Sequence, residues 1–204
     1  MDSLQSLIQR VQQCEHGFLD IQKAADEVYA GREPAACADL AHALYASEIP
    51  QARSLAVFVF GRLAARDSAS LLFLKTVVSQ DADWRVQEIL AKAFDCCCAD
   101  TGYESALPAI QEWLADANPN VRRAVSEGLR IWTGRPYFRE NPAVAIALLS
   151  ALRADESEYV RKSAGNALRD ISRKHKELVR AELVQWDISQ KKVLQTYKLA
   201  SKFL

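Results

Sequence analysis

One apolar register recurs four times along this 204-residue chain and limits the fold more than any other feature. It is clearest at Val86, Ile89, Leu90, Ala93, Phe94 and Cys97, which sit at offsets 0, 3, 4, 7, 8 and 11. That spacing puts all six side chains on one stripe of an α-helix, because about 3.6 residues complete a turn. The same offsets run from Ala52 through Leu55, Ala56, Val59, Phe60 and Leu63. They run again from Val121 through Ala124, Val125, Gly128, Leu129 and Trp132, and from Val160 through Ser163, Ala164, Ala167, Leu168 and Ile171. The starts are 34, 35 and 39 residues apart. A period of that length leaves room for two helices per unit and predicts an all-α superhelix, or solenoid, whose units bury their stripes by stacking. An ordinary globular helical bundle is the competing arrangement. Small residues at the middle offset, Ala93, Gly128 and Ala167, predict close approach between neighbouring helices. The residue after each start is Arg53, Gln87, Arg122 or Arg161.

Breakers divide the rest into helical segments: Gly31–Pro34, Ile49-Pro50, Thr101-Gly102, Asn118-Pro119, Gly134–Pro136 and Asn141-Pro142. Asn141 before Pro142 reads as a helix cap followed by proline at the first helical position, and Ser47, Asp67 and Asp116 precede other apolar runs. With 7 Gly and 6 Pro, a turn-rich sandwich or barrel is disfavoured. The registered helices are assigned to an inner row, and helices near 104–115 and 142–153 to an outer one. No apolar run reaches the ~18–20 residues of a membrane span, and the N-terminus lacks signal-peptide order. Five cysteines, three of them consecutive at Cys96–Cys98, point to a reducing, cytoplasmic setting and to core packing at Cys97 rather than a metal site.

The net charge is zero, from 26 Lys+Arg against 26 Asp+Glu, but the halves differ. Residues 1–118 carry 9 basic and 17 acidic side chains, and residues 119–204 carry 17 and 9. Neutrality overall therefore does not exclude a local phosphate-binding surface. Offsets 2, 6 and 9 of each register lie opposite the apolar stripe. They hold Glu88, Lys92 and Asp95, with Trp84 on the same side; then Arg123, Glu127 and Arg130; then Lys162, Asn166 and Arg169, with Arg173 one turn on; and Phe58 in the first register. A solvated polar face is one reading. A concave groove with a cationic wall is the other, and the large aromatics Trp84 and Phe58 favour it. Trp84 and Glu88 are four residues apart and share a helix face, where an indole beside a carboxylate suits a cationic, electron-poor base or sugar. A tryptophan wedged into the neighbouring repeat, with Glu88 paired to Lys92, fits the spacing equally well. His16, His42 and His175 make no ligand or triad pattern, and no Gly-rich phosphate loop or nucleophile motif occurs. The stretch Thr133–Glu140, with Arg135, Tyr137 and Arg139, reads as a turn or as an arm reaching phosphate.

The stretches DWRVQEILAKAFD (83–95), NVRRAVSEGLRIW (120–132) and EYVRKSAGNALRDIS (158–172), in that order, resemble the DNA alkylation-repair family with HEAT-like repeats, the AlkD-type glycosylases. The resemblance spans roughly residues 10–175. It implies an all-helical superhelix whose concave, positively charged face holds duplex DNA, and active members that release N3- and N7-alkylated purines without flipping the base into a pocket. It implies that Trp84 is the family's first active-site tryptophan, that Glu88 stands in the catalytic aspartate's place, and that Arg123 is the supporting arginine. Where the family's second tryptophan precedes Ala-Leu-Arg, this chain has Asn166 before Ala167-Leu168-Arg169.

The expectation is one HEAT-like repeat domain over 1–204, with 174–204 a capping or basic helical extension. It is a cytoplasmic or nucleoid-associated monomer that binds alkylated double-stranded DNA, with no cofactor, metal or membrane. Glu88, Trp84 and Arg123 are the candidate catalytic residues, and Arg130, Lys162, Asn166, Arg169 and Arg173 the candidate DNA contacts. Two functions stay open: an alkylpurine DNA glycosylase, or a non-catalytic repeat scaffold that binds DNA or a peptide in its groove.

Overall fold

The computed structural model describes residues 3–204, and among them it contains thirteen α-helices, two 3-10 turns and no strand. The fold is all-α, as the register requires. The chain divides into two compact units, one ending at Thr101 and one beginning at Gly102.

The first unit holds α1 (Leu4–Gln12), α2 (Leu19–Ala30), α3 (Pro34–Tyr45), α4 (Pro50–Leu63), α5 (Ser68–Thr76), a 3-10 turn at Val78–Gln80, and α6 (Trp84–Thr101). Prolines open α3 and α4, where a missing N–H costs nothing. Asp67 caps α5 by accepting from the amides of Ala69 and Ser70 at 3.1 and 3.0 Å. Helix α4 is the centre of this unit and packs against α1, α2, α3, α5 and α6. Ten of its fourteen residues are buried, and its two arginines, Arg53 and Arg62, pair with Asp81 and Asp26. Its registered residues are buried, and so is Phe58, at 8% exposure, packed against Phe18. The sequence places Phe58 on the open polar face. That expectation fails because the five neighbouring helices and Phe18 of the α1–α2 loop cover that side of α4. Gly61 lets α4 and α6 approach: a Cβ there would lie 2.8 Å from Ala93, the small residue of the α6 register.

The second unit holds α7 (Leu107–Leu114), α8 (Pro119–Gly128), a 3-10 turn at Trp132–Gly134, α9 (Pro136–Glu140), α10 (Pro142–Ser150), α11 (Glu158–Ser172), α12 (Lys176–Leu183) and α13 (Lys191–Ala200). Helix α11 is central, flanked by α8, α10, α12 and α13. Every position of its register is buried. A Cβ on Gly165 would sit 2.8 Å from Leu199, so glycine sets the α11–α13 spacing. The α8 register is only partly helical: the helix stops at Gly128, and Leu129 and Trp132 are buried from the chain beyond it. Trp132 packs on Phe138 at 4.9 Å and Arg135 donates to the Gly128 carbonyl at 3.2 Å, so Thr133–Glu140 folds back as the end of a 3-10 turn and the short helix α9.

The residues one past each register start form a repeated bolt. Arg53 donates from Nε to Asp81 at 2.7 Å and from Nη1 to the carbonyls of Ser47 and Glu48, both at 3.1 Å. Arg122 does the same with Asp155 and the carbonyls of Asp116 and Ala117. Arg161 uses Gln195 and the carbonyls of Asp155 and Glu156. Gln87 keeps the loop half of the pattern, donating to the carbonyls of Val78 and Asp81 at 3.0 and 2.9 Å. Each acceptor aspartate also closes its own loop: Asp81 accepts from the Asp83 amide and Asp155 from the Ser157 amide. The guanidinium's planar fork suits this task because it binds a carboxylate and two carbonyls at once.

Candidate functional site

In the first unit, Trp84 and Glu88 come together in a cleft of about 460 Å³. Trp84 is the first residue of α6 and is 75% exposed, so the reading in which it is wedged into a neighbouring repeat does not hold. Asp83 starts the helix: its carboxylate accepts the Arg85 amide at 2.9 Å and pairs with the Arg85 guanidinium at 2.6 Å. The hydrogen bond from the Arg85 side chain holds the Asp83 carboxyl below its ordinary range. Glu88 lies one turn in, beside Arg85 and the buried Ile89.

The rest of the lining comes from two other elements. The α1–α2 loop supplies Cys14, Glu15, His16, Gly17 and Phe18, and the first turns of α4 supply Pro50, Gln51 and Ser54. Gly17 has φ 77°, the left-handed region that glycine occupies without strain, and this turns the loop so that Phe18 reaches the cleft. Gln51 ties loop to helix, donating to the Cys14 carbonyl at 3.4 Å. Phe18 is half-buried and packs on Phe58, and the Lys92 ammonium sits 4.1 Å above its ring. The Cys14 thiol is pushed up by burial and then by Asp20, so it stays protonated at neutral pH. The cleft thus combines the Trp84 and Phe18 rings and the His16 imidazole with two carboxylates, Glu15 and Glu88, and one guanidinium already held by Asp83.

The other sequence-derived residues belong to the second unit, where most engage local acids or rings. Arg130 donates to Asp170 at 2.8 Å and to Glu127 at 2.9 Å. Arg169 pairs with the same Asp170 at 3.2 Å, which leaves that carboxylate only 10% exposed between two guanidiniums. Glu127 is fixed in turn by Ser163, which donates to it at 2.8 Å. Lys162 is half-exposed and paired with Glu158 at 2.6 Å. Arg173 lies over the Phe203 ring at 4.7 Å, and Arg169 over the same ring at 5.7 Å. Asn166 is half-buried on α11, and Arg123 is half-buried on α8 next to Arg122.

Comparison with known proteins decides the family. The profile of the family described as DNA alkylation repair enzyme matches residues 19–194. The chain belongs to this DNA alkylation repair family. Its structure is similar to the crystal structure of AlkD2 from Streptococcus mutans, with 49% identity, 98% of this chain and 97% of that one covered, and a TM-score of 0.97. The structure of smu.31 from Streptococcus mutans UA159 matches with 46% identity, coverage of 99% and 100%, and a TM-score of 0.93. The Pseudomonas fluorescens alkylpurine DNA glycosylase AlkC, bound to DNA containing an abasic site analog, matches at 25% identity and a TM-score of 0.51, over 97% of this chain and 60% of that one. A Bacillus subtilis (strain 168) protein, the uncharacterized YhaZ, is 38% identical over 87 residues, so the match spans about a quarter of that relative's length, 24%. The all-helical repeat architecture is thus that of AlkD-type alkylation-repair proteins. Among the described residues no helix is long and apolar enough to cross a membrane.

The α6 half of the cleft is visible in the sequence as Trp84 and Glu88 at i and i+4. The Phe18 half is not. Its element contributes no register, and the local signal is a glycine that follows the mostly polar Gln12–His16 and precedes Phe18-Leu19.

Proposed function

We propose that this member of the alkylation-repair family binds duplex DNA carrying N3- or N7-alkylated purines, with the Trp84–Glu88 cleft meeting the lesion nucleotide. The observation that carries the reading is the 75% exposure of a tryptophan at the mouth of a cleft that also holds a carboxylate. Alkylated purines are cationic, and an aromatic face beside a negative charge favours a cation over a neutral base. The carboxylate of Glu88 is suited to the reaction as well. As the N-glycosidic bond breaks, its electron pair passes to the purine, which leaves as a neutral base, and positive charge develops on the sugar. A fixed carboxylate stabilises that charge, and water completes the hydrolysis at C1′ by losing a proton.

A second reading, recognition without base release, is favoured by the second unit. There the cations Arg130, Arg169 and Lys162 are already matched by Asp170, Glu127 and Glu158. Such pairing weakens the hold on phosphates that places a scissile bond, and a misplacement of about 1 Å costs roughly 100-fold in rate. Release of 7-methylguanine from methylated duplex DNA separates the two. The glycosylase reading requires release by the wild type and its loss in Glu88→Gln. Binding of the duplex with no release establishes recognition alone. Neither binding nor release overturns both.

A further inference from the structure

We propose that the end of α11 and the chain beyond α13 form a lesion-independent site for the nucleic-acid phosphate backbone, in which Phe203 positions the Arg173 guanidinium. The inference rests on the reading that this chain binds duplex DNA and goes further. It adds a contact outside the cleft, and Lys202 and Phe203 lie beyond residue 194, where the family match ends. Arg173 caps the C-terminal end of α11 and stacks over the Phe203 ring at 4.7 Å. Arg169, one turn earlier, shares that ring at 5.7 Å, but its Nε and Nη2 donate to Asp170 at 3.4 and 3.2 Å. Arg173 is exposed and, among the described residues, has no acid partner, unlike Arg130, Arg169 and Lys162. A guanidinium stacked on a ring keeps its N–H donors free at the edge, the fork that takes two phosphate oxygens at once. Stacking also removes part of the side-chain entropy that ordering the arginine on a phosphate would cost. The same contact sets residues 173–176, Arg-Lys-His-Lys, beside residues 201–204. Lys174, Lys176 and Lys202 are exposed, and among the described residues none is ion-paired. The next acid in the chain, Glu177, pairs with Arg180 at 2.7 Å. Cations left unmatched in one place attract a polyanion. The large apolar side chains here, Phe203 and Leu204, are half-buried, which favours a phosphate backbone over a lipid surface.

Fluorescence anisotropy of the full chain with an unmodified duplex, repeated over a range of salt, tests this. The slope of log affinity against log salt should become shallower by about one in Arg173→Gln and again by about one in Lys202→Gln, one phosphate contact each. Phe203→Leu keeps the apolar bulk and every charge, so the slope should hold while affinity falls about threefold. Phe203→Trp, which keeps an aromatic face for the guanidinium, should restore it. In an Arg173→Gln background Phe203→Leu should have no further effect, the mark of a residue that acts through Arg173. An equal loss in both backgrounds, or wild-type slopes in Arg173→Gln and Lys202→Gln, overturns the site. Tighter binding to phosphatidylglycerol vesicles than to duplex, lost in Arg173→Gln, overturns nucleic acid as the partner. A duplex containing 7-methylguanine, titrated in parallel, keeps the two proposals apart. Wild-type preference for that duplex, with slopes unchanged in the variants, removes this site only. Equal wild-type binding of the two duplexes, with the Arg173 slope change intact, removes the lesion reading and leaves this site standing. No wild-type binding of either duplex overturns both.

Discussion

Helices α6 and α11 are built on the same register and put their polar faces to opposite use. Both begin at an aspartate-closed loop that receives an arginine fork, Arg53 to Asp81 ahead of α6 and Arg122 to Asp155 ahead of α11. Beyond that shared device they diverge. The α6 face leaves a tryptophan uncovered beside a carboxylate and a cleft. The α11 face carries Lys162, Arg169 and Arg173, each with an acid or a ring already in place within its own unit. An apolar register therefore specifies how a helix is buried and says little about what its other face is for. That depends on whether each polar side chain finds a local partner.

The comparison can be broken first at what the two helices share. Asp81→Ala should destabilise the first unit by about 3 kcal/mol, because it strands the Arg53 guanidinium and Tyr45 hydroxyl around a carboxylate that is only 5% exposed. Asp155→Ala should do the same to the second unit, with its carboxylate 7% exposed. Urea unfolding measures both, and losses under about 0.5 kcal/mol, the level of an exposed ion pair, would show that the forks are not what holds the loops. Next in size, Trp84→Ala should cut affinity for methylated duplex about tenfold while changing stability by less than about 0.5 kcal/mol, since the indole is mostly outside the core. A large loss of stability would move Trp84 into the packing and erase the contrast with α11.

The contrast can be sharpened from the other side. Asp170→Asn releases Arg169, while Arg130 keeps Glu127. The slope of log affinity against log salt for duplex DNA should steepen by about one, the value for one added phosphate contact. An unchanged slope would show that these arginines do not face phosphate at all. The smallest effect concerns the helix starts. Asp83 opens α6 and Ser157 opens α11, and only the first titrates. The folded-state pKa of Asp83 is depressed, chiefly by the Arg85 hydrogen bond, so its stabilisation is complete above the unfolded value of about 3.9 and is lost as pH falls below it. Protection of the amides at the start of α6, taken relative to the intrinsic exchange rate at each pH, should fall below about pH 4, and Asp83→Asn should flatten that dependence.

How legible each part was follows from what signals it. Burial of the registered positions was readable because apolar periodicity is a direct record of helix faces, and Ala93 does receive the close approach of Gly61. Phe58 was misplaced because the pattern of α4 was read as a stripe when its residues are buried on every side. The fork residues Arg53, Arg122 and Arg161 were visible as a repeated position, but their partners lie 28 to 34 residues away, so the pairing itself leaves no local trace. Phe18 was invisible for a related reason: its contribution depends on a left-handed turn at Gly17 and on packing against Phe58, neither of which leaves a periodic trace.

The central claim is that the Trp84 cleft recognises the charge of an alkylated purine in DNA. Fluorescence anisotropy with a duplex containing a single 7-methylguanine, against the same unmodified duplex, tests it most directly. The wild-type protein should prefer the lesion by about tenfold, and Trp84→Ala should bind both duplexes equally. Equal affinity in the wild type, or a preference that survives Trp84→Ala, would contradict the account.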